Sequence, residues 1–417
     1  MLLDVEFLKR PEYHRDARPA SNGKPACDAY HRDAEDHFKL FQDQLKKKGI
    51  TPAVSLDQLR KEPLEISETD FILYALFKYR NPSHAAYADR SAILKKVNNR
   101  VDEFRDFFDL CDTIRNSLSK GKGNNNKDYT EMYGVACSLL LTAKLFGLTN
   151  ADYARLDVSS VKDVDFKSLS HIGSTGQAFV RIESKGVTGL NSRVNAEANH
   201  IMAKKEAQNA KSSRDIYLGI VSRLPYKDEP GRGKCTIVDP ELGDESSDPM
   251  KEKIRLRLHY YAGHFGWLIQ SGFQQWLERL ALWLDEYKED NWKDAYNELV
   301  EEESGNSYSY HSPMNRHLSV IRDEESGEIV WGQASPVGDG MYFFFGLTRS
   351  LLNSLSVPSL NTVAELKFPD LSSRRMTLKN SNIVIPNREI DPSSRMEFKL
   401  SGTIYLYSTG EAIGLLR

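Results

Sequence analysis

Apolar residues recur at intervals of three or four through most of the N-terminal part of the chain, which is the spacing of an amphipathic helix. Residues 31–48 follow this spacing up to Gly49, and residues 84–119 repeat it over a longer stretch. The pattern predicts a helical N-terminal region over residues 1–119.

Two local signals mark boundaries in this region. Ser67 and Asp70 form a capping-box pattern directly before the apolar segment FILYALFKY, so a helix is predicted to begin there. The polar tract KGKGNNNK at residues 120–127 interrupts the periodicity with glycine, asparagine and lysine, and it is the best linker candidate in the chain.

The pattern changes after this tract. Residues 128–147 have helical spacing that stops at Gly147. Four short runs, VDFKSL, QAFVRIESKG, DIYLGIVSRL and KCTIVD, then have the composition of strands, and a polar, partly helical stretch separates the second run from the third. This order predicts an α/β core over residues 128–240.

The remainder of the chain contains two further regions. Residues 250–300 are strongly helical and rich in tryptophan, and a break near Ser271 and Gly272 predicts two helices. In residues 305–417 short apolar runs alternate with turns, so this region is predicted to be mainly β, with one helix at residues 346–355. The whole pattern predicts an α+β multidomain protein.

Composition excludes several classes of protein. Hydrophobic residues make up 40% of the chain, which excludes wholesale disorder, and 56 Lys and Arg against 59 Asp and Glu exclude a globally basic nucleic-acid coat. The four cysteines form no Cys-x-x-Cys pair, which disfavours a disulfide framework or a four-thiolate zinc site. The sequence starts without an apolar signal segment and has no bilayer-length apolar run, which predicts a cytoplasmic protein without a membrane partner.

The strongest candidate for chemistry follows the apolar run at residues 178–182. If this run is a strand, Glu183 and Lys185 point to the same face and Ser184 points to the other. Asp165, at the start of a neighbouring predicted strand, can bring a second carboxylate. Two carboxylates, with the carbonyl of Ser184, are the hard oxygen ligands that Mg²⁺ or Mn²⁺ requires.

This arrangement resembles the PD-(D/E)xK nuclease superfamily over residues 128–240. The family pattern is a helix often bearing Glu, a strand with Asp, a strand ending in Glu-x-Lys, and then a helix and further strands. The resemblance implies a restriction-endonuclease-like core with catalytic residues Asp165, Glu183 and Lys185 and with metal ligands Asp165, Glu183, Ser184 and Glu131.

One feature departs from the family pattern. The proline that often precedes the family's Asp is absent, because Val164 precedes Asp165. Asp157 and Asp163 therefore remain alternatives to Asp165 as the metal ligand.

The function implied by the resemblance is that of a Mg²⁺-dependent endonuclease acting on nucleic acid, with DNA as the expected substrate and restriction or anti-phage defence as the expected role. Duplex cleavage usually needs two active sites, so a homo-oligomer or a partner protein of a defence complex is expected. The alternative is a non-catalytic nucleic-acid-binding or scaffold subunit of a nucleoprotein complex. Positive residues that favour phosphate contact follow the candidate site, namely Arg193, Lys204, Lys205, Lys211 and Arg214.

Overall fold

The computed structural model describes residues 2–9, 31–32, 35–47, 51–78, 90–99, 127–155, 166–172, 176–189, 191–209, 216–224, 232–242, 248–268, 272–304, 318–371, 374–386 and 395–417. The chain is an α+β protein that divides into two compact units. The first unit comprises residues 1–84, 113–148 and 152–250, and the second comprises residues 85–112, 149–151 and 251–417. None of the helices within the described ranges is long and apolar enough to cross a membrane.

The described strands and helices are numbered in chain order. The strands are β1 (Leu2–Lys9), β2 (His31–Arg32), β3 (Leu64–Glu65), β4 (Tyr153–Arg155), β5 (Phe166–Ile172), β6 (Gly176–Thr188), β7 (Ile216–Leu224), β8 (Gly233–Leu242), β9 (Ser319–Arg322), β10 (Ile329–Pro336), β11 (Tyr342–Thr348), β12 (Arg375–Pro386), β13 (Arg395–Leu406) and β14 (Glu411–Leu416). The helices are α1 (Glu35–Lys47), α2 (Leu56–Lys61), α3 (Glu68–Lys78), α4 (Arg90–Asn99), α5 (Lys127–Phe146), α6 (Asn191–Asn209), α7 (Pro249–Leu268), α8 (Gly272–Glu286), α9 (Trp292–Ser304), α10 (Arg349–Leu355) and α11 (Leu360–Glu365).

The first unit is built on a mixed sheet. Its strand order is β2-β1-β8-β7-β6-β5-β4, and β3 pairs with β1 in addition. Strand β6 is parallel to β7 and β1 is parallel to β8, whereas the other neighbours are antiparallel. The order along the chain is one helix (α5), three strands (β4, β5 and β6), a second helix (α6) and a further strand (β7). Strand β7 is the one that is parallel to β6.

The predicted elements of this core are present. Helix α5 ends at Phe146, and Gly147 follows with a φ of +63°, a conformation that glycine adopts without a steric penalty. Helix α6 occupies the polar stretch between the second and third predicted strands. Earlier in the unit, the backbone N–H of Asp70 donates to the Ser67 hydroxyl at 3.0 Å, so the predicted cap at the start of α3 is confirmed.

The N-terminal region differs from the prediction of a separate helical region. Strand β1 lies inside the sheet of the first unit, parallel to β8, and Leu3, Val5 and Phe7 are buried on one of its faces. Their alternation was visible in the sequence, but the partner strand lies far along the chain and no local pattern indicates it. Of residues 84–119 the structure describes α4, and the predicted linker except Lys127 lies outside the described residues.

The second unit contains an antiparallel sheet with strand order β12-β13-β14-β11-β10-β9. This confirms the mainly β character predicted for the C-terminal region. The predicted helix at 346–355 is the shorter α10, because β11 continues to Thr348, and α11 follows it. The described part of residues 250–300 contains three helices instead of the predicted two: α8 begins at Gly272 as expected, and α9 begins at Trp292.

Candidate functional site

Helix α5 packs closely against one face of β6. A Cβ atom added to Gly186 would lie 1.8 Å from the carbonyl oxygen of Thr130, and one added to Gly134 would lie 2.5 Å from the backbone nitrogen of Gly186. The two backbones approach this closely because both positions are glycine. The close packing fixes the strand segment that carries Glu183 and Lys185.

A chain of buried hydroxyl groups joins the same two elements. The Ser184 hydroxyl donates to the Ser138 hydroxyl at 3.2 Å, and the Ser138 and Ser222 hydroxyls lie 3.3 Å apart. These contacts place the side chain of Ser184 on the α5 face of the sheet. Since neighbouring residues of a strand point to opposite faces, Glu183 and Lys185 lie on the other face.

Helix α6 covers that other face. Its residues Val194, Ala198, Ile201 and Met202 are buried and form one apolar cluster with Val187, Tyr217, Val221 and Val238 of the sheet. Gly219 is the β7 residue that pairs with Glu183, and a Cβ atom there would lie 2.1 Å from Cγ2 of Ile201. Glycine at this position therefore lets α6 approach the sheet next to Glu183.

The carboxylate of Glu183 is held by two lysines. Its Oε1 atom lies 2.8 Å from Nζ of Lys185 and 2.7 Å from Nζ of Lys204, which belongs to α6. The Glu183 side chain is fully buried, whereas the Lys185 and Lys204 side chains are 27% and 18% exposed. A buried carboxylate needs such opposite charges nearby, and both lysines are partly exposed to solvent.

The site lies next to the last described pair between β5 and β6. Phe166, the first residue of β5, pairs with Ile182 of β6, and Glu183 is the next residue of β6. In the sequence, Asp165 directly precedes Phe166. Asp165 and its alternatives Asp157 and Asp163 lie outside the described residues.

Two further predicted metal ligands, Ser184 and Glu131, remain predictions. The predicted ligand atom of Ser184 is its backbone carbonyl oxygen, and its side chain lies on the α5 face. Glu131 belongs to α5, which packs on the face that carries Ser184 and Gly186. Within the described ranges, no group of three or more His, Cys, Asp and Glu side chains is placed to hold a metal ion.

The predicted nucleic-acid contacts separate into different roles. Arg193 is exposed at the start of α6, where its guanidinium donates to the carbonyl oxygen of Thr188 at 3.2 Å. Lys204 is an ion-pair partner of Glu183, and its contact with phosphate stays a prediction. The side chain of Lys205 and the whole of Lys211 and Arg214 lie outside the described residues.

Sequence reasoning missed a second buried carboxylate in the same sheet. Glu6 of β1 lies 3.0 Å from Nζ of Lys234 and accepts from the Thr236 hydroxyl at 2.7 Å. The registers of the four strands align Glu6, Thr236, Val221 and Lys185 in one row, so Glu6 is three strands away from Lys185. The alternating pattern of β1 was the signal that could have revealed it.

The second unit has its own buried polar cluster, centred on Glu411. Its carboxylate accepts from the hydroxyls of Tyr260 and Thr409, and Nδ1 of His264 lies 3.9 Å from Oε1. The amide of Asn150 donates to the Tyr260 hydroxyl at 2.9 Å. Burial, and secondarily the neighbouring Glu411, raise the pKa of Tyr260 well above its usual value. Buried hydrogen bonds of this kind help to fix the packing of a core.

The chain matches no protein-family model, no curated protein and no solved structure. The chemistry of the site is therefore argued from the residues around Glu183. They provide a buried carboxylate and two ammonium groups close to the start of β5, which Asp165 directly precedes in the sequence.

Proposed function

We propose that this protein is a metal-dependent phosphodiesterase, an endonuclease of the PD-(D/E)xK type. One observation carries the proposal: the buried carboxylate of Glu183 and the ammonium group of Lys185 are 2.8 Å apart on one face of β6, directly after the last described residue that pairs with β5. Buried charged groups that have a specific charged partner are frequent at functional sites.

The order of elements supports the proposal. The PD-(D/E)xK pattern requires a helix, a strand with Asp, a strand with Glu-x-Lys and a following helix. Here α5, β5, β6 and α6 occur in that order, and the strand after α6 is parallel to β6. Phe166 and Ile182 pair across the two antiparallel strands. In the sequence, Asp165 is the neighbour of Phe166 and Glu183 is the neighbour of Ile182.

In this proposal Glu183 and Asp165 would hold the Mg²⁺ or Mn²⁺ ion. A divalent cation bound there would supply a Lewis acid for hydrolysis of a phosphodiester. Lys185 contributes a fixed positive charge beside Glu183, which stabilises negative charge that develops on the scissile phosphate.

Arg193 is the described residue best placed for additional phosphate contact, because it is exposed at the start of α6, the helix that carries Lys204. We propose DNA as the substrate, restriction or defence as the role and an oligomer as the active form, as the PD-(D/E)xK resemblance implies.

The second candidate is a non-catalytic subunit that binds nucleic acid or a partner protein. The observation that favours it is the neutralisation of Glu183 by two lysines, since such a cluster can simply fasten α6 to the sheet. The two functions differ in chemistry: only the first requires metal-dependent hydrolysis.

A cleavage assay tests the proposal. Plasmid and single-stranded substrates would be incubated with the protein in Mg²⁺, in Mn²⁺ and in EDTA. Cleavage that requires the metal and disappears in Glu183→Gln is the expected result. Nucleic-acid binding without cleavage under every metal condition would favour the non-catalytic subunit.

A further inference from the structure

The two lysines at the candidate site contact the same oxygen atom. Lys185 and Lys204 both approach Oε1 of Glu183, at 2.8 and 2.7 Å. A metal ion that takes this oxygen as a ligand would lie next to both ammonium groups, so one of them has to move.

Electrostatics leads to the same requirement whichever oxygen binds the metal. A divalent cation on the Glu183 carboxylate would lie within a few ångström of two ammonium groups and would be repelled by both. At least one ammonium group therefore has to move away for tight metal binding. A phosphate group can then become the new partner of the released ammonium group, which is otherwise hydrated.

Lys204 is the lysine that can leave. Lys185 belongs to the same strand and face as Glu183, so the strand keeps its Cβ atom next to the carboxylate. Lys204 reaches Glu183 from α6 through a side chain that contains four methylene groups. This side chain is 18% exposed. Rotation about these bonds moves the ammonium group towards solvent without moving the helix.

We propose that Lys204 is a latch that exchanges between Glu183 and a backbone phosphate of the DNA substrate. In the absence of ligands it pairs with Glu183; when Glu183 becomes a metal ligand, its ammonium group binds a phosphate. Metal binding to Glu183 releases Lys204 for a phosphate, and DNA binding to Lys204 releases Glu183 for the metal. The two binding events are therefore coupled. This inference rests on the proposed function, since it requires a metal on Glu183.

The test measures binding and does not depend on turnover. The affinity for Ca²⁺, which takes the same oxygen ligands, would be measured by calorimetry with and without a short DNA duplex. We expect Lys204→Met to bind Ca²⁺ at least about fivefold more tightly than the parent in the absence of DNA, because one repelling charge is removed. The increase in Ca²⁺ affinity caused by DNA should fall at least about threefold in this variant.

Two further variants make the result specific. Lys144→Met removes an exposed lysine from α5 on the other face of the sheet, and it should leave both the affinity and the coupling unchanged. Lys204→Gln keeps a polar side chain and serves if Lys204→Met does not fold. Unchanged or weaker Ca²⁺ binding by the Lys204 variants would overturn the latch.

The failure of the latch and the failure of the proposed function have different signatures. If the parent and Glu183→Gln bind Ca²⁺ equally, Glu183 is not a metal ligand and both proposals are wrong. If Glu183→Gln loses Ca²⁺ binding but the Lys204 variants retain the coupling of the parent, the latch alone is wrong.

Discussion

The Nζ atom of Lys204 lies 2.7 Å from the Oε1 atom of Glu183, so a helix residue and a strand residue share one buried ion pair. The contact depends on the packing of α6, since Ile201, one helical turn before Lys204, lies directly over Gly219 of β7. The site is therefore assembled by three elements, and its carboxylate is compensated by two positive charges before any ligand binds.

Glu183→Gln is expected to abolish metal-dependent cleavage and to leave the protein folded. The substitution removes the charged ligand and keeps the shape of the side chain, and both lysines are exposed enough to be hydrated. Cleavage rate and the far-ultraviolet circular dichroism spectrum check the two parts. Glu197→Gln, on α6 but paired with His200, is the matched control and should cleave normally. Parent-like turnover by Glu183→Gln would remove this residue from the mechanism.

Lys185→Ala should reduce the cleavage rate by a factor on the order of a hundred and retain metal binding. The reason is that one fixed positive charge beside the reacting phosphate is lost, while lysine is not a ligand for Mg²⁺. Single-turnover cleavage and Mn²⁺ binding would be measured on the same preparation. Lys144→Ala provides the comparison on the other face of the sheet. A loss of binding with an unchanged rate of bond cleavage would contradict this assignment.

Arg193→Ala tests the exposed start of α6. If Arg193 contacts a phosphate, the slope of log affinity for duplex DNA against log salt should decrease in magnitude by about 0.9, because one fewer counterion is released. Fluorescence anisotropy at several salt concentrations measures the slope. Arg279→Ala, an exposed arginine of α8 paired with Glu303, should keep the parent slope. Identical slopes for all three proteins would show that Arg193 makes no phosphate contact.

Gly186→Ala should destabilise the protein by about 2–4 kcal/mol, because the new methyl group would meet the carbonyl oxygen of Thr130 and push α5 away from β6. Chemical denaturation measures the change. At Gly340 a Cβ atom meets nothing within 4 Å, and its φ of +68° alone makes alanine unfavourable, so Gly340→Ala should cost only about 1 kcal/mol. Equal losses from the two substitutions would mean that the contact between α5 and β6 is loose.

Tyr260→Phe should destabilise the second unit by about 2–4 kcal/mol at neutral pH. The substitution removes a donor to the buried Glu411 carboxylate and the acceptor for the Asn150 amide. Tyr296→Phe, which loses only a bond to the carbonyl oxygen of Pro358, should cost less. Denaturation of both variants would give the comparison, and a smaller loss for Tyr260→Phe would contradict the importance of the Glu411 cluster.

The same tyrosines predict a loss of stability at alkaline pH. Burial raises the pKa of Tyr260 and of Tyr296 in the folded protein, so the unfolded chain loses these protons at lower pH than the folded one. Stability should therefore be unaffected by these groups below about pH 10 and should decrease above it, by about 1.4 kcal/mol per pH unit for each tyrosine. Either Tyr260→Phe or Tyr296→Phe should make the decrease in stability with pH smaller by about 1.4 kcal/mol per pH unit. Tyrosinate absorbance that precedes unfolding would show that the hydroxyls ionise in the folded state.

The sequence alone determined the local elements of the core and the pair of residues at its centre. The helix that stops at Gly147 and the strand that carries Glu183 were predictable, because helical and strand periodicities are properties of neighbouring residues. The alternation of strand side chains also placed Glu183 and Lys185 on one face. These predictions required no knowledge of distant contacts.

The tertiary structure alone decided which other residues meet at that face. Helix α6 brings Lys204 to Glu183 because Gly219, on a different strand, lets the helix approach, and α5 packs on the opposite face with Glu131. Strand β1 joins the sheet through β8, a partner more than two hundred residues later in the chain. These relations depend on pairing and packing between distant segments, and periodicity along the chain contains no information about such partners.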